Sequence, residues 1–253
     1  MNRDFLIRQM QPESSAGNQA HDLFAGNSRD LTPAPAGHAA RVLYAPVSPD
    51  PEVSRLCRSV LSDTELERAG RFAAEEDRAR FAQRRAFRRF CGAKALGAPQ
   101  SSSEIRFETT AKGRPFHSDA PDLRFSFSSC RLGMIGAWSS THCVGVDIED
   151  QTRIVEAVAL ARRFFSAAEA DVVASLDGSD RLQTFLRLWT LKEAALKSIG
   201  EGLPYGLDTF VFELTPDLRV VDAPTDHGGP ERFDAHVIEG TDACAALVIR
   251  SLL

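Results

Sequence analysis

Two carboxylates separated by a single residue on a predicted strand are the first candidates for chemistry in this sequence. The stretch "GVDIED", residues 145–150, alternates the apolar Val146 and Ile148 with Asp147 and Glu149. Side chains of a strand point alternately to its two faces, so both carboxylates should share one face while the apolar residues are buried on the other. Such a pair can bind a divalent cation, although a solvated strand edge has the same pattern.

A third carboxylate stands in the predicted helix "WTLKEAALKSIG", where Glu193 and Lys197 are one helical turn apart. Taken alone, the two residues fit an exposed ion pair that contributes about 0.3 to 0.5 kcal/mol. Taken with Asp147 and Glu149, Glu193 completes a set of three oxygen ligands suited to Mg²⁺, which prefers few carboxylates completed by water and substrate phosphates. Lys197 would then reach a phosphate.

Basic residues concentrated in one region support a phosphate-rich ligand. Arginine binds phosphate oxygens with two parallel hydrogen bonds. Part of the cluster also fits an exposed helix face with ion pairs such as Glu76 with Arg80. No phosphate-binding or dinucleotide-binding glycine loop is present. The cluster runs from Glu65 to Lys94, and a second basic pair stands in "KGRPF": Arg68, Arg71, Arg78, Arg80, Arg84, Arg85, Arg88, Arg89 and Lys94, then Lys112 and Arg114.

Composition narrows the class of protein. The 253 residues are 43% hydrophobic and 26% charged, with a net charge of -5, which does not favour nucleic acid or membrane as a partner. No apolar run is long enough to span a bilayer and no secretory signal is evident, so we expect a cytoplasmic protein. The five cysteines are odd in number and lack a C-x-x-C pair, which predicts reduced thiols.

The order of predicted elements gives the fold class. Residues 1–40 have a linker-like composition and are predicted to form a disordered N-terminal extension. A first strand starts at Arg41, and a long helical region opens with a capping box formed by Ser62 and Glu65. A hairpin turning at Lys112 and Gly113 and further strands follow, among them the strand of Asp147.

The second half repeats this order. A capping box of Ser166 and Glu169 opens one helix, Gly200 ends a second, long helix, and strands complete the chain. The pattern predicts an α+β protein of two similar halves, residues 41–143 and 144–253, with the metal site in the second.

Several of these motifs together resemble the Sfp-type 4'-phosphopantetheinyl transferases. The motifs are "GVDIE" (145–149), "RFFSAAE" (163–169), "WTLKEAALKSIGEGL" (189–203), "KGRPF" and "LSDTELERAGRF". The resemblance implies a pseudo-dimer of two α+β halves in one chain, with the active site in the cleft between them. It also implies transfer of 4'-phosphopantetheine from coenzyme A to a serine of an acyl or peptidyl carrier protein, with release of 3',5'-ADP, as in secondary metabolism, by a monomeric enzyme.

Residue roles follow from the same resemblance. Asp147, Glu149 and Glu193 match the ligands of Mg²⁺, or of Mn²⁺ in its place, and Lys197 matches a lysine near the transferring phosphates. The positions that match contacts to coenzyme A are Arg68, Arg80, Arg114, Pro115, Ser128, Ser129, Asp147 and Lys197. Glu149 or Glu193 is the expected proton acceptor, with Glu149, Glu193 and Lys197 as the catalytic set.

One departure from the family pattern leaves alternatives open. Ser129 stands where the resemblance expects a phosphate-contacting histidine, and a serine offers only a neutral hydrogen bond. His117 and His142 are other sources of the missing charge. The alternative functions are a silent relative that only binds coenzyme A or a carrier protein, and a Mg²⁺-dependent phosphohydrolase. Glu169 has two interpretations, a residue of the site or a capping residue only.

Overall fold

A computed structural model of the chain describes residues 16–36, 39–98 and 104–252. The helices are α1 Ala16–Asn27, α2 Pro51–Arg58, α3 Asp63–Gly70, α4 Glu75–Leu96, α5 Ala157–Phe164, α6 Ala167–Ser175 and α7 Gly178–Ile199. The strands are β1 Arg29–Asp30, β2 Arg41–Pro46, β3 Glu108–Thr109, β4 Pro115–Phe116, β5 Arg124–Ser129, β6 Gly133–Ser139, β7 His142–Glu149, β8 Val211–Glu213, β9 Arg219–Asp222, β10 Phe233–Val237 and β11 Cys244–Ser251. The predicted α+β class is confirmed.

Two antiparallel sheets form the centre of the molecule. The first has the strand order β1-β2-β6-β5 and the second β10-β11-β7. Residues on one face of each sheet pack together in a shared core, as Val42 of β2 and Val146 of β7 do. The opposite faces pack against helices: Leu43 contacts the α4 core and Ala246 the α7 core. Alternate side chains of each strand therefore pack into two different cores, one between the sheets and one between sheet and helix.

The two sheets belong to stretches of chain with the same order of elements. From β2 to β6 the order is strand, three helices, hairpin, two strands, and from β7 to β11 it is the same. In both sheets the last strand lies at the centre, flanked by the first strand and by the strand before the last. The helices α4 and α7 have 22 residues each.

Local sequence signals explain where the helices begin and end. Both predicted capping boxes are formed: Ser62 and Ser166 accept hydrogen bonds from the backbone N–H groups of Glu65 and Glu169, whose carboxylates accept in return. The predicted end of α7 at Gly200 is also confirmed, since this glycine has a φ of 78° and caps the helix in the left-handed conformation.

The prediction that residues 1–40 form a disordered extension is wrong for residues 16–36. Residues 16–27 form α1, and Phe24 is buried against the rings of Phe87 and Phe90 on α4. Ala20 and Phe24 lie one turn apart on one face and are buried in the α4 core, and Leu23 packs against the same core. Residues 1–15 of the predicted extension, like 37 and 38, lie outside the described part of the chain.

The helical region after Ser62 is divided into two helices, α3 and α4. The chain turns at Arg71, which caps α3, and α4 starts after Ala74 without a side-chain cap. Three acids in its first turn, Glu75, Glu76 and Asp77, interact favourably with the positive end of the helix dipole. The capping box still contacts α4, because its Glu65 forms ion pairs with Arg85 and Arg89.

Candidate active site

The side chains of β7 divide between the two faces as their spacing predicts, with both carboxylates on one face. Val146 and Ile148 are buried in the core between the sheets. Asp147 therefore points to the other face, toward α7, where its side chain is 7% exposed. Glu149 follows on the same face at the end of the strand and is half-buried.

A glycine of β7 lets α7 approach the strand. A Cβ atom on Gly145 would lie 1.8 Å from the carbonyl oxygen of Ala194 and 2.5 Å from the backbone nitrogen of Ser198. Only a residue without a side chain fits between strand and helix at this point. This contact aligns the last two turns of α7 with the carboxyl end of β7, where Asp147 lies.

Lys197 is the group that α7 brings to Asp147. Its Nζ lies 2.7 Å from Asp147 Oδ1 and donates further hydrogen bonds to Ser128 Oγ and to the carbonyl oxygen of Val146, each at 3.2 Å. The hydroxyl of Ser128 in turn donates to Asp147 Oδ1 at 2.7 Å. Lysine, serine and aspartate thus form a closed polar cluster where β5, β7 and α7 meet. The predicted exposed pair of Glu193 with Lys197 is not formed.

Two further carboxylates lie in the electrostatic field of this cluster. Burial, and next the negative charge of Asp147, raise the pKa of both Glu149 and Glu193. Glu149 has a partner in Arg153, whose Nη1 lies 3.2 Å from its carboxylate oxygens. Glu193 has no hydrogen-bond or ion-pair partner among the described residues. Its charge is therefore available to a bound ligand.

The three carboxylates fit a divalent cation in chemistry but are not assembled around one. Oδ2 of Asp147 is buried and has no hydrogen-bond partner within the described chain, as expected of an oxygen that a cation would satisfy. Its neighbours Glu149 and Glu193 repel it. In the described ranges, however, no group of three or more acidic, His or Cys side chains is close enough to hold a metal ion. Lys197 and Arg153 instead neutralise two of the three predicted ligands.

A cavity of about 210 Å³ adjoins the cluster and collects several predicted residues. Glu193 and Lys197 line it from α7, and Arg114 and Pro115 line it from the β3–β4 hairpin. The predicted turn at Lys112 and Gly113 is formed, with Gly113 at a φ of 85°. Lys112 also binds Glu201 beyond α7 in an ion pair, which attaches the hairpin to the end of that helix.

Other predicted contact residues are not brought to this cavity. Arg80 is bound to Glu76 and Asp77 and lines a different cavity beside α2. Arg68 is exposed, with its guanidinium 5.8 Å from the ring centre of Phe81. The physical reason is the helical position of these arginines, which lie on the first turns of α4 or on α3.

Ser129 and the two histidines considered in its place, His117 and His142, lie in different surroundings. Ser129 is half-buried at the end of β5 and pairs with Met134 of β6. It shares a strand face with Phe127, not with Ser128. His117 and His142 do not line the cavity, and His142 stands at the opposite end of β7 from Glu149. Sequence reasoning did not single out Gly145, whose role depends on a contact 49 residues away at Ala194.

Glu169 stabilises the position of α7 through contacts in the protein interior. Besides its capping role, its Oε1 accepts the backbone N–H of Phe212 at 3.0 Å. Its Oε2 lies 2.7 Å from Nζ of Lys192, which is fully buried and also donates to the carbonyl oxygens of Leu207 and Phe210. The capping interpretation is therefore the one the contacts favour, extended by a buried ion pair.

Comparison with known proteins places these features in a family. The model of the 4'-phosphopantetheinyl transferase superfamily matches residues 143–248. The phosphopantetheinyl transferase HetI of Nostoc sp. is 31% identical over 171 residues, which cover 66% of this chain and 70% of that protein. Sfp of Bacillus subtilis is 35% identical over 126 residues, 49% of this chain and 55% of Sfp. The chain thus spans just over half the length of Sfp and of two further Bacillus transferases that it matches.

Proposed function

The chain belongs to the 4'-phosphopantetheinyl transferase superfamily, and from this premise we propose that it transfers 4'-phosphopantetheine from coenzyme A to a serine of a carrier protein. The carrier would be an acyl or peptidyl carrier protein, and 3',5'-ADP would be released. The observation that carries the proposal is the polar cluster of Asp147, Ser128 and Lys197 beside a cavity lined by Glu193 and Arg114.

The two matching stretches of chain would be the halves of a pseudo-dimer, residues 41–143 and 144–253, with the active site in the cleft between them. The repeated element order and the equal sheet topology support this division. So does the origin of the site residues. Ser128 and Arg114 come from the first half, whereas Asp147, Glu193 and Lys197 come from the second.

The basic side chains would bind and orient the anionic substrate. Lys197 already lies at the junction of the sheets, and Nη2 of Arg114 is buried without an acceptor in the described residues. A phosphate between them would satisfy this donor and pair with both charges. Positioning and charge neutralisation account for most of the acceleration of phosphoryl transfer, so these contacts are also the expected source of rate enhancement.

A divalent cation, Mg²⁺ or Mn²⁺, would be held by Asp147, Glu149 and Glu193. When bound, such an ion polarises phosphate oxygens and neutralises their charge. Lys197, whose Nζ lies 2.7 Å from Asp147 Oδ1, is next to this site and would pair with a substrate phosphate. The unpartnered Oδ2 of Asp147 supports this assignment.

Glu193 is the better placed of the two candidates for accepting the proton of the carrier serine. Glu149 is neutralised by Arg153, whereas Glu193 lines the cavity and has no partner among the described residues. Ser128 would hold Asp147 in place through its hydrogen bond.

Mass spectrometry of an apo carrier protein incubated with this protein, coenzyme A and Mg²⁺ tests the proposal. A mass gain of one phosphopantetheine is the expected result. An unchanged carrier with intact coenzyme A would favour a silent binding protein, and breakdown of coenzyme A without transfer would favour a phosphohydrolase. Omission of the divalent cation should abolish the gain. The described helices include none long and apolar enough to cross a membrane, and a cytoplasmic, monomeric state stays a prediction.

A further inference from the structure

Arg88 has no charged partner among the described residues, unlike most of the arginines around it on α4; Arg84 also lacks one but does not line the cavity described above. Arg85 and Arg89 form ion pairs with Glu65, and Arg78 forms one with Glu75. In the described part of the chain, no carboxylate lies within ion-pair distance of Arg88. A half-buried guanidinium without a partner is rare, because desolvation of a charge is costly unless it is paired.

The side chain of Arg88 is held in a definite place. Its guanidinium lies 5.3 Å from the centre of the Phe127 ring on β5. Phe127 is itself packed against Phe107 and Phe125. The aromatic support orients the planar guanidinium and leaves its N–H donors free at the edge.

That place is the wall of the cavity beside the polar cluster. Arg88 lines the cavity from α4, opposite Glu193 and Lys197 on α7 and together with Arg114 of the hairpin. Arg114 presents a buried nitrogen that lacks an acceptor. The cavity therefore brings together two arginine side chains from different elements, neither of which has a carboxylate partner among the described residues.

The charges around Arg88 make an anion favourable there. Burial, and next the positive charges of Arg85 and Arg84, lower its pKa to about 10, so it stays protonated at neutral pH. Glu65 compensates part of this positive potential through its ion pairs with Arg85 and Arg89, but it forms no direct pair with Arg88. An anion entering the cavity would relieve the repulsion and replace the lost hydration of the guanidinium.

We propose that Arg88 binds a phosphate group of the substrate and forms a two-arginine clamp with Arg114. The inference rests on the proposed function in naming coenzyme A as the source of the phosphate. It adds to that function a contact residue in the middle of α4. The side chain of Arg88 lies over Phe127, which is on the same face of β5 as Ser129. The clamp would fix one phosphate group by forked hydrogen bonds, leaving Lys197 free to act on another.

Calorimetric measurement of the dissociation constant of coenzyme A tests the clamp with the substitution Arg88→Met. Methionine keeps much of the apolar contact with Phe127 and removes the charge. Loss of a hydrogen bond between charged groups should weaken binding about tenfold to a hundredfold. Arg88→Lys should recover part of the loss, since it restores charge without the fork.

Arg85→Met is the matched control. Arg85 also lies on α4 with its guanidinium over a phenylalanine, 5.1 Å from the centre of Phe81, but it pairs with Glu65 and does not line the cavity. Its substitution should leave coenzyme A binding within about twofold. Pantetheine, which carries no phosphate, should bind equally to the wild type and to Arg88→Met.

Dephospho-coenzyme A tells which phosphate is held. A loss on Arg88→Met that persists with this ligand assigns Arg88 to the diphosphate, and a loss that disappears assigns it to the 3'-phosphate; both support the clamp. Binding of coenzyme A unchanged within twofold in folded Arg88→Met overturns it, as does an equal loss in Arg85→Met. If Arg88→Met does not fold, Arg88→Gln is judged by the same criteria.

The wild-type transfer assay separates this inference from the proposed function. A wild-type protein that transfers phosphopantetheine, with an Arg88→Met variant that binds coenzyme A normally, would overturn the clamp alone. A wild type that binds coenzyme A in an Arg88-dependent way but transfers nothing to any carrier would overturn the proposed function and leave the clamp.

Discussion

The two long helices, α4 and α7, are built on one plan and differ where the chemistry is. Each has 22 residues, follows a helix with a Ser-x-x-Glu capping box and is capped by a left-handed glycine, Gly97 or Gly200. The fifteenth residue of each helix, Arg89 or Lys192, binds the capping-box glutamate at 2.6 or 2.7 Å. The next residue is Phe90 in α4 and Glu193 in α7.

The comparison separates what the scaffold needs from what the site needs. A cation that fixes the capping-box glutamate recurs in both helices, so it is part of the scaffold. The acid at the sixteenth residue does not recur, because Phe90 is buried in the core of the first sheet while Glu193 faces the cavity. The ion pair of the capping-box glutamate is more buried at α7 than at α4. The side chain of Glu169 is 4% exposed, whereas that of Glu65 is 18% exposed.

The largest effect is expected from breaking the more buried of the two ion pairs. Lys192→Met would leave Glu169 charged and buried beside two carbonyl oxygens that lose their donor. Removal of one partner of such a pair costs about 3–5 kcal/mol in the free energy of unfolding. Arg89→Met should cost less, about 1.5–3 kcal/mol, because Glu65 is reached by water and by Arg85. Urea unfolding curves of both variants measure the difference, and equal losses would contradict the ranking.

The second test compares the lysines at the twentieth residue of each helix. Lys197→Met should lower the transfer rate about a hundredfold or more, because under the proposed function it removes the charge that would neutralise the reacting phosphates. Lys94→Met is the control at the matching position of α4, where the lysine is exposed and lies over the ring of Phe90. Its rate should stay within about twofold. Single-turnover kinetics with saturating coenzyme A separate rate from binding, and similar losses in both variants would refute the assignment.

A third test concerns the glycines that face the helices. The Cβ atom of Gly145→Ala would meet the backbone of α7 at 1.8 Å, so strand and helix must separate, at about 3 kcal/mol. In the first sheet, a Cβ on Gly136 would meet only side chains, Phe127 at 2.9 Å and Cys91 Sγ at 3.0 Å. Side chains can shift, so Gly136→Ala should cost about 1 kcal/mol. Thermal unfolding of both variants checks the order, and a smaller loss at Gly145 would contradict it.

The smallest effect is a pH dependence confined to the α4 side, where α1 covers the helix. His21 of α1 lies 4.9 Å from the ring centre of Phe90, and burial lowers its pKa below the ordinary value. The unfolded chain therefore takes up the proton first, and the contribution of His21 to stability should fall as the pH drops below about 6.5. His21→Gln should remove this part of the slope. An unchanged slope in unfolding measurements between pH 7.5 and 5.5 would refute it.

Local signals in the sequence were sufficient for much of the fold. The capping boxes at Ser62 and Ser166, the turn at Gly113 and the alternation around Asp147 depend on residues within a few positions of each other, and the structure confirms them. The helix α1 was missed because its burial depends on the distant Phe87 and Phe90, while its own composition is typical of a linker.

The positions of site residues were predictable only where they follow from the regular spacing of side chains along a strand or helix. Asp147 and Lys197 meet because β7 and α7 are regular, but the approach depends on Gly145 against Ala194, a contact that no local pattern signals. On α4, the spacing of the arginines gave no means of telling which ones face the cavity. That requires the direction of the helix, and the structure gives this place to Arg88 and not to Arg80.

The sixteenth residue is Phe90 in α4 and Glu193 in α7, and this difference bears on the number of substrate sites in the protein. Two identical halves would present two equivalent acidic walls, and occupancy of one could influence the other. Here the acid stands on α7 alone, and α4 contributes only arginine to the same cavity. Under the proposed pseudo-dimer the two halves would share one site in place of duplicating it, and saturation by substrate should be hyperbolic, without cooperativity between halves.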